Sequence, residues 1–292
     1  MAVTFRPAVP VQRLPDRGRL RRVELLLLAY LAVATAVAVH RAAVAPACWW
    51  VVAANTMMAL LIALLSRTGL GRFGRAAREI YPLVLLLGLY GQLDVLNHAG
   101  VPVHDALVQR WELAVFGAQV SREWWQRAPS VFWSTLLHAA YFSYYFVVSI
   151  PAFYFLGRGD LETVRRFVLA VMATFVACYL VFLFFPVAGP YYAFPRPAAW
   201  FTDNVAARLV YDTLARGSSY GAAFPSSHVA ATVAAALAAA RGSRRLGLLL
   251  VPPTVLLTIG VVYCQMHYGV DALAGLGVGV LIAGAAARVR AV

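Results

Sequence analysis

The chain has 292 residues, 62% of them hydrophobic, and a mean hydropathy of +0.73. A soluble domain sits nearer 45–50% apolar, so a soluble globular protein is excluded and an integral membrane protein is implied. The formal net charge of +13 comes from 25 Arg with no Lys. These Arg fall between apolar runs rather than on a basic reading surface, so no nucleic-acid partner is expected.

In chain order, a basic N-terminus (1–22) precedes the first apolar run. The "AVAPA" that follows this run resembles a leader-peptide cleavage site, but both regions are long for a cleaved leader, which favours a retained span. Eight runs have the length a helix needs to cross hydrocarbon. They cover 23–39, 49–66, 80–97, 131–156, 167–186, 226–240, 246–266 and 270–287. The expected fold is therefore all-α, a polytopic membrane bundle of about eight helices. Its organisation is a basic tail (1–22), two additional spans with a basic loop (23–79), a six-span core (80–287) and a short tail (288–292).

One set of connections, together with the two termini, holds 18 of the Arg; the other, longer set holds 7. Arg-rich short loops stay in the cytoplasm. Both termini are then cytoplasmic, the chain is a multi-pass protein of the cell membrane, and residues 98–130, 187–225 and 267–269 face outward. Cys48, Cys178 and Cys264 are scattered and read as small apolar residues. No metal-ligand spacing is present, and neither metal nor cofactor is expected.

Asp94, Asn97 and His98 end the third span, where they either pair within the bundle or line substrate access. The outer loop "HDALVQRWELAVFGAQVSREWWQR" (104–127) reads as an interfacial helix, either a lid or an anchored connector. His138 and Tyr141, Tyr144 and Tyr145 on the fourth span read as packing and an aromatic belt. A second outer helix is expected at 202–216.

Three outward stretches carry the chemistry. "FPVAGPYYAFPRP" (185–197) leaves the fifth span, "AAFPSSHVAAT" (222–232) enters the sixth, and "MHYGVDALAG" (266–275) enters the eighth. Ser226 is a good N-cap for the Ala-rich run behind it. Free N–H groups at such a start attract phosphate, and Ser227 and His228 share the same mouth. An ordinary capped helix with an interfacial His is the plain alternative. His267 and Asp271 are four apart and share a helix face. Asp271 then accepts from one ring nitrogen and leaves the other to attack or to shuttle a proton; the alternative is a buried pair that only satisfies itself. An anion cradle facing an oriented imidazole is what phosphoryl transfer through a phospho-histidine needs.

Pro225-Ser226-Ser227-His228 and His267-Tyr-Gly-Val-Asp271, with Arg196-Pro197 before them, resemble the motifs of the type 2 phosphatidic acid phosphatase superfamily of membrane lipid phosphatases and phosphotransferases. The resemblance covers about residues 80–287. It implies His267 as nucleophile, Asp271 as its orienting partner and His228 as the acid on the leaving oxygen. Ser226, Ser227 and Arg196 would hold phosphate oxygens. Two family cations are missing: the Lys position is Gly189, and Ser-Arg falls on Gly260 and Val261. Arg208 and Arg216 lie in the same outer loop as possible substitutes. Tyr191, Arg216 and Asp94 are candidates for substrate access.

The missing Arg before "HYxxD", together with "FPVAGP", looks more like the inositol-phosphorylceramide synthase-like branch. The implied function is an outer-face lipid phosphatase; the alternative is a transferase moving a phospho-headgroup such as inositol phosphate to an alcohol acceptor. The partners are then a lipid phosphate or phospholipid and, in the transferase reading, that alcohol. A haem subunit, a transporter and an inactive relative are the rival readings.

Overall fold

A computed structural model describes residues 19–67 and 71–289. The basic N-terminus as far as residue 18, part of the loop after the second span and the last three residues lie outside the described residues. Among the described residues there are fourteen helices and one isolated parallel bridge, between Val187 and Ala222. The first group is α1 (Arg22–Arg41), α2 (Cys48–Arg67), α3 (Arg72–Asn97), α4 (Asp105–Phe116), α5 (Val120–Arg127), α6 (Val131–Phe142) and α7 (Tyr144–Gly157). The second is α8 (Leu161–Phe184), α9 (Pro190–Ala193), α10 (Ala199–Thr202), α11 (Val205–Gly217), α12 (Ser227–Gly242), α13 (Arg244–Tyr263) and α14 (Gly269–Arg288).

The protein is a polytopic helical membrane protein. Six helices are long and apolar enough to cross a membrane: α1, α2, α3, α8, α13 and α14. The α6–α7 pair, bent by 40°, makes a seventh if counted as one span. The predicted sixth span corresponds to α12, whose 16 residues extend about 24 Å, short of a hydrocarbon core of about 30 Å. α12 is buried along almost its whole length, as is α8. That explains why both read as apolar all round rather than amphipathic.

The α6–α7 bend lies at Ser143, whose hydroxyl donates back to the Ala140 carbonyl at 2.6 Å. Such back-bonding bends helices. α12 and α14 approach closely because Gly275 and Gly279 face the Ser226 and Ala230 carbonyls; a Cβ at either glycine would lie 2.6 Å from them. Small residues four apart allow this contact between membrane helices.

The N-terminal pair is not loosely attached. Leu27, Tyr30, Leu31, Ala34 and Ala38 of α1 are buried in the same apolar cluster as α8 and α12. At one end of the bundle a charged cluster fastens α1 to α3 and α8. Arg78 pairs with Glu24 at 2.8 Å, Arg21 with Glu79 at 2.9 Å, and Arg165 with Glu79 at 2.8 Å. All five side chains are buried. Three Arg of the Arg-rich set are thus structural ion-pair partners rather than solvated loop charges. At the other end, Arg41 donates to the carbonyls of Leu96 (2.9 Å) and Leu183 (2.8 Å). This second end carries the motifs that open α12 and α14.

The predicted single interfacial helix at 104–127 is two helices, α4 and α5, broken at Gly117. The second predicted outer helix appears as α11, preceded by the short turns α9 and α10.

Candidate active site

Three chain segments converge between the starts of α12 and α14. Val187 N–H donates to Gly221 O at 3.1 Å and Ala223 N–H to Val187 O at 2.9 Å, which fixes the 185–189 segment against 221–223. Ser226 N–H donates to Asp271 O at 3.0 Å, which ties the start of α12 to the first turn of α14.

His267 lies just before α14 and is buried. Its Nδ1 is 3.0 Å from the carbonyl oxygen of Ala223 and 3.4 Å from Asp271 Oδ2. A carbonyl only accepts, so Nδ1 carries the proton and Nε2 holds the free lone pair. The expected His–Asp pairing is present, but Asp271 shares the task. Its Oδ2 also accepts from Tyr268 N–H at 2.8 Å, the shorter of the two contacts.

His228, in the first turn of α12, faces His267 with ring centroids 5.7 Å apart. Tyr141 and Tyr144, on either side of the Ser143 bend, flank the His228 ring at centroid distances of 4.8 Å and 4.6 Å. The Tyr141 hydroxyl is 3.3 Å from His228 Nε2. Nδ1 of His228 is buried without a hydrogen-bond partner. These tyrosines, read from the sequence as packing residues, are part of the site. The signal for them was their position around a serine that can bend the helix.

A cavity of about 40 Å³ separates the two histidines from the surface, and Tyr90, Tyr141, Tyr191, Tyr192 and Ser219 contribute to its wall. No Arg lines it. A second cavity, about 640 Å³, also reaches His228. Leu86, Leu87, Phe175 and Tyr179 make its apolar wall, and Arg216, Asp212 and Ser227 its polar rim. His228 and Tyr90 line both.

The remaining sequence candidates take distinct places. Ser226 is fully buried and caps α12, accepting from Val229 N–H at 3.4 Å. Arg196 is exposed and lies over the rings of Tyr191 (5.3 Å) and Tyr211 (5.8 Å), donating to Tyr191 Oη at 3.1 Å. Tyr191 thus stands between Arg196 and the cavity. Asp94 accepts from Tyr220 N–H at 2.9 Å and pairs with His98 at 3.2 Å, which is its role in closing the end of α3. Of the three access candidates, Tyr191 lines the smaller cavity, Arg216 the larger, and Asp94 neither.

The departures from the family motifs have a physical basis. Gly189, at the Lys position, has φ +91°, and a Cβ there would lie 2.8 Å from Ala223 Cβ. No L side chain is comfortable at that angle. Val261, at the Arg position, is fully buried in an apolar cluster with Leu137 and Leu257.

Sequence reading missed two carboxylates. Asp105, at the start of α4, accepts from Ala188 N–H and Gly189 N–H, each at 2.8 Å, and from Tyr268 Oη at 2.9 Å. Glu112, two turns later on the same face, accepts from Gly269 N–H at 2.7 Å and from Ser121 Oγ at 2.9 Å. Burial holds the Glu112 carboxyl above its ordinary range, against the lowering effect of those donors. α4 is therefore fastened to the turn that carries His267, which is not how a swinging lid is built. The signal was the spacing of seven between two acids on one face of a short outer helix.

Among the described residues, no group of three or more His, Cys, Asp or Glu is arranged to hold a metal ion. No curated protein and no solved structure shows significant similarity to the chain. The family model of the PAP2 superfamily, in contrast, matches residues 107–285, more than half of the chain, with both histidines and Asp271 inside the match. The two histidines at the starts of α12 and α14, in the family's order, thus sit in a chain that belongs to the PAP2 superfamily, a family of phosphatase-type phosphoesterases.

Proposed function

We propose that the protein cleaves a phosphorylated lipid at the extracytoplasmic face of the cell membrane, through a phosphoryl group carried on His267. The observation that carries this reading is the Ala223 carbonyl on Nδ1 of His267. It commits that nitrogen as a donor and leaves the Nε2 lone pair free to act as the nucleophile. In the first step Nε2 attacks phosphorus, the P–O bond to the lipid alcohol breaks, and the leaving oxygen takes a proton supplied by His228. In the second step water attacks phosphorus and returns a proton toward His228. The P–N bond breaks, and its electron pair returns to Nε2. Asp271 and the Ala223 carbonyl stabilise the positive charge on the phosphorylated ring. The 640 Å³ cavity is large enough for a lipid chain, and Arg216 at its rim suits an anionic headgroup. The Arg bias of the connections supports the outward orientation.

The test is a phosphate-ester screen on the purified full chain in lipid, with His267→Ala as control. Turnover of a lipid phosphate that survives in His267→Ala overturns this reading.

A second reading is favoured by one observation: the cavity beside His267 is walled by tyrosines and carries no Arg. A monoester dianion has two charges to balance, a phosphodiester one. The chain then belongs with the inositol-phosphotransferase-like branch and passes the phosphoryl headgroup to an alcohol instead of water. Product analysis with labelled donor lipid, with and without alcohols, separates the two.

A further inference from the structure

Catalysis as proposed above needs a proton to travel from His228 to the leaving oxygen, and the inference here rests on that reading. Only one nitrogen of His228 is available for this. Nδ1 is buried and meets no partner, whereas Nε2 meets the Tyr141 hydroxyl at 3.3 Å. The imidazole is held from both sides by Tyr141 and Tyr144, on either side of the bend at Ser143. Tyr141 makes no other hydrogen bond among the described residues, so its own O–H is uncommitted. It also lines the cavity shared by His228 and His267. A proton leaving Nε2 therefore meets the phenol oxygen before it meets anything in the cavity.

We propose that Tyr141 relays the proton between His228 and the substrate. Among the described residues Nδ1 of His228 meets no acceptor, so His228 becomes the imidazolium only as the phosphoryl anion binds and a proton enters with it. As His267 Nε2 attacks and the P–O bond breaks, the departing alkoxide takes the Tyr141 hydroxyl proton. The phenol oxygen takes the Nε2 proton of His228, which ends neutral. In the hydrolytic step the relay runs backward: water gives its proton to the phenol oxygen, Tyr141 returns its proton to Nε2, and the imidazolium is restored. The phenol is unchanged over the cycle.

The test uses the full chain in lipid and the first-turnover rate of alcohol release. One substrate is an alkyl phosphate lipid, whose leaving group needs a proton. The other is an aryl phosphate with a nitrophenol leaving group, which does not. Tyr141→Phe keeps the ring, and its melting temperature should stay near that of the unmodified protein. It should release the alkyl alcohol about 100-fold more slowly or worse, and the nitrophenol within about threefold of the unmodified rate. His228→Ala should show the same leaving-group pattern, and the double variant should lose little more than either single one. Equal losses on both esters, no loss on either, or multiplying losses in the double variant overturn the relay while leaving the phospho-histidine reading in place. An unmodified protein inactive on every phosphate ester overturns both.

Discussion

The carbonyl oxygen of Ala223 stands 3.0 Å from Nδ1 of His267, closer than the Asp271 carboxylate at 3.4 Å. The tautomer of His267 is therefore set by backbone as well as by side chain. Asp271→Asn should keep the fold, because Oδ1 has no hydrogen-bond partner to lose. It should lower turnover by about 10- to 100-fold, through lost charge stabilisation rather than a wrong tautomer. Steady-state kinetics with a melting curve checks this; a fall as deep as that of His267→Ala would mean that Asp271 alone holds the ring.

Restoring the family's cation should not restore a stronger phosphatase. Gly189→Lys places a side chain on a backbone at φ +91° and against Ala223. A side chain in this nearly glycine-only backbone region costs about 1–3 kcal/mol, and any relief moves Ala223 off His267. Both stability and turnover should fall. A Gly189→Lys protein more active than its parent refutes the account of the missing lysine.

The anchoring of α4 gives a pH signature. The Glu112 carboxyl is held above its ordinary value by burial, so the protonated form is favoured in the folded state. The stability this group contributes is present below the unfolded value near 4.3 and is lost as pH rises through the higher folded value. Glu112→Gln, which keeps an acceptor for Gly269 and removes the charge, should flatten that part of the melting profile and be no less stable at neutral pH. Glu112→Ala should be less stable at every pH. An unchanged profile in Glu112→Gln would remove Glu112 from the argument.

Orientation is open to a direct measurement. Cys48, Cys178 and Cys264 are all buried, so a single added thiol is readable. Asp203 is 72% exposed at the site end, and Arg244 is exposed at the opposite end. An impermeant thiol reagent on intact cells should label Asp203→Cys and spare Arg244→Cys. The reverse pattern places the site in the cytoplasm.

Glu79 joins Arg21 and Arg165 in the buried ion cluster. Removing one partner of such a group leaves uncompensated charge and costs about 3–5 kcal/mol. Glu79→Gln should lower the melting temperature sharply while leaving kinetic constants of the surviving folded protein near normal. A simultaneous loss of chemistry per folded molecule would tie this cluster to the distant site.

The membrane spans and the paired histidine motifs were legible because they rest on local signals: hydropathy, a cap residue, a spacing of four. What was not legible depends on contacts between distant segments. Nothing near Ala223 in the chain announces that its carbonyl meets a residue 44 positions later. Asp105 and Glu112 carried no reading of their own within the interfacial stretch 104–127, and only the packed structure shows them turned inward. Tyr141 and Tyr144 looked like bundle packing until the bend at Ser143 aimed them at His228. α12 was given a full span because its alanines are apolar, although burial by its neighbours lets it be shorter.

The cluster of Glu24, Arg78, Glu79, Arg21 and Arg165 also sets an order of assembly during synthesis. Glu24 is made 54 residues before Arg78, so the acidic end of α1 has no partner from another helix until α3 begins to emerge. Arg21 and Glu24 then cross-pair with Glu79 and Arg78, giving two acids and two bases on one helix pair. Arg165 follows Glu79 by 86 residues and arrives on α8, the helix around which the bundle closes. The residues that join the first helix to the third are thus all made by position 79, before the half of the chain that carries the two histidine motifs, and the partner on the central helix is made later.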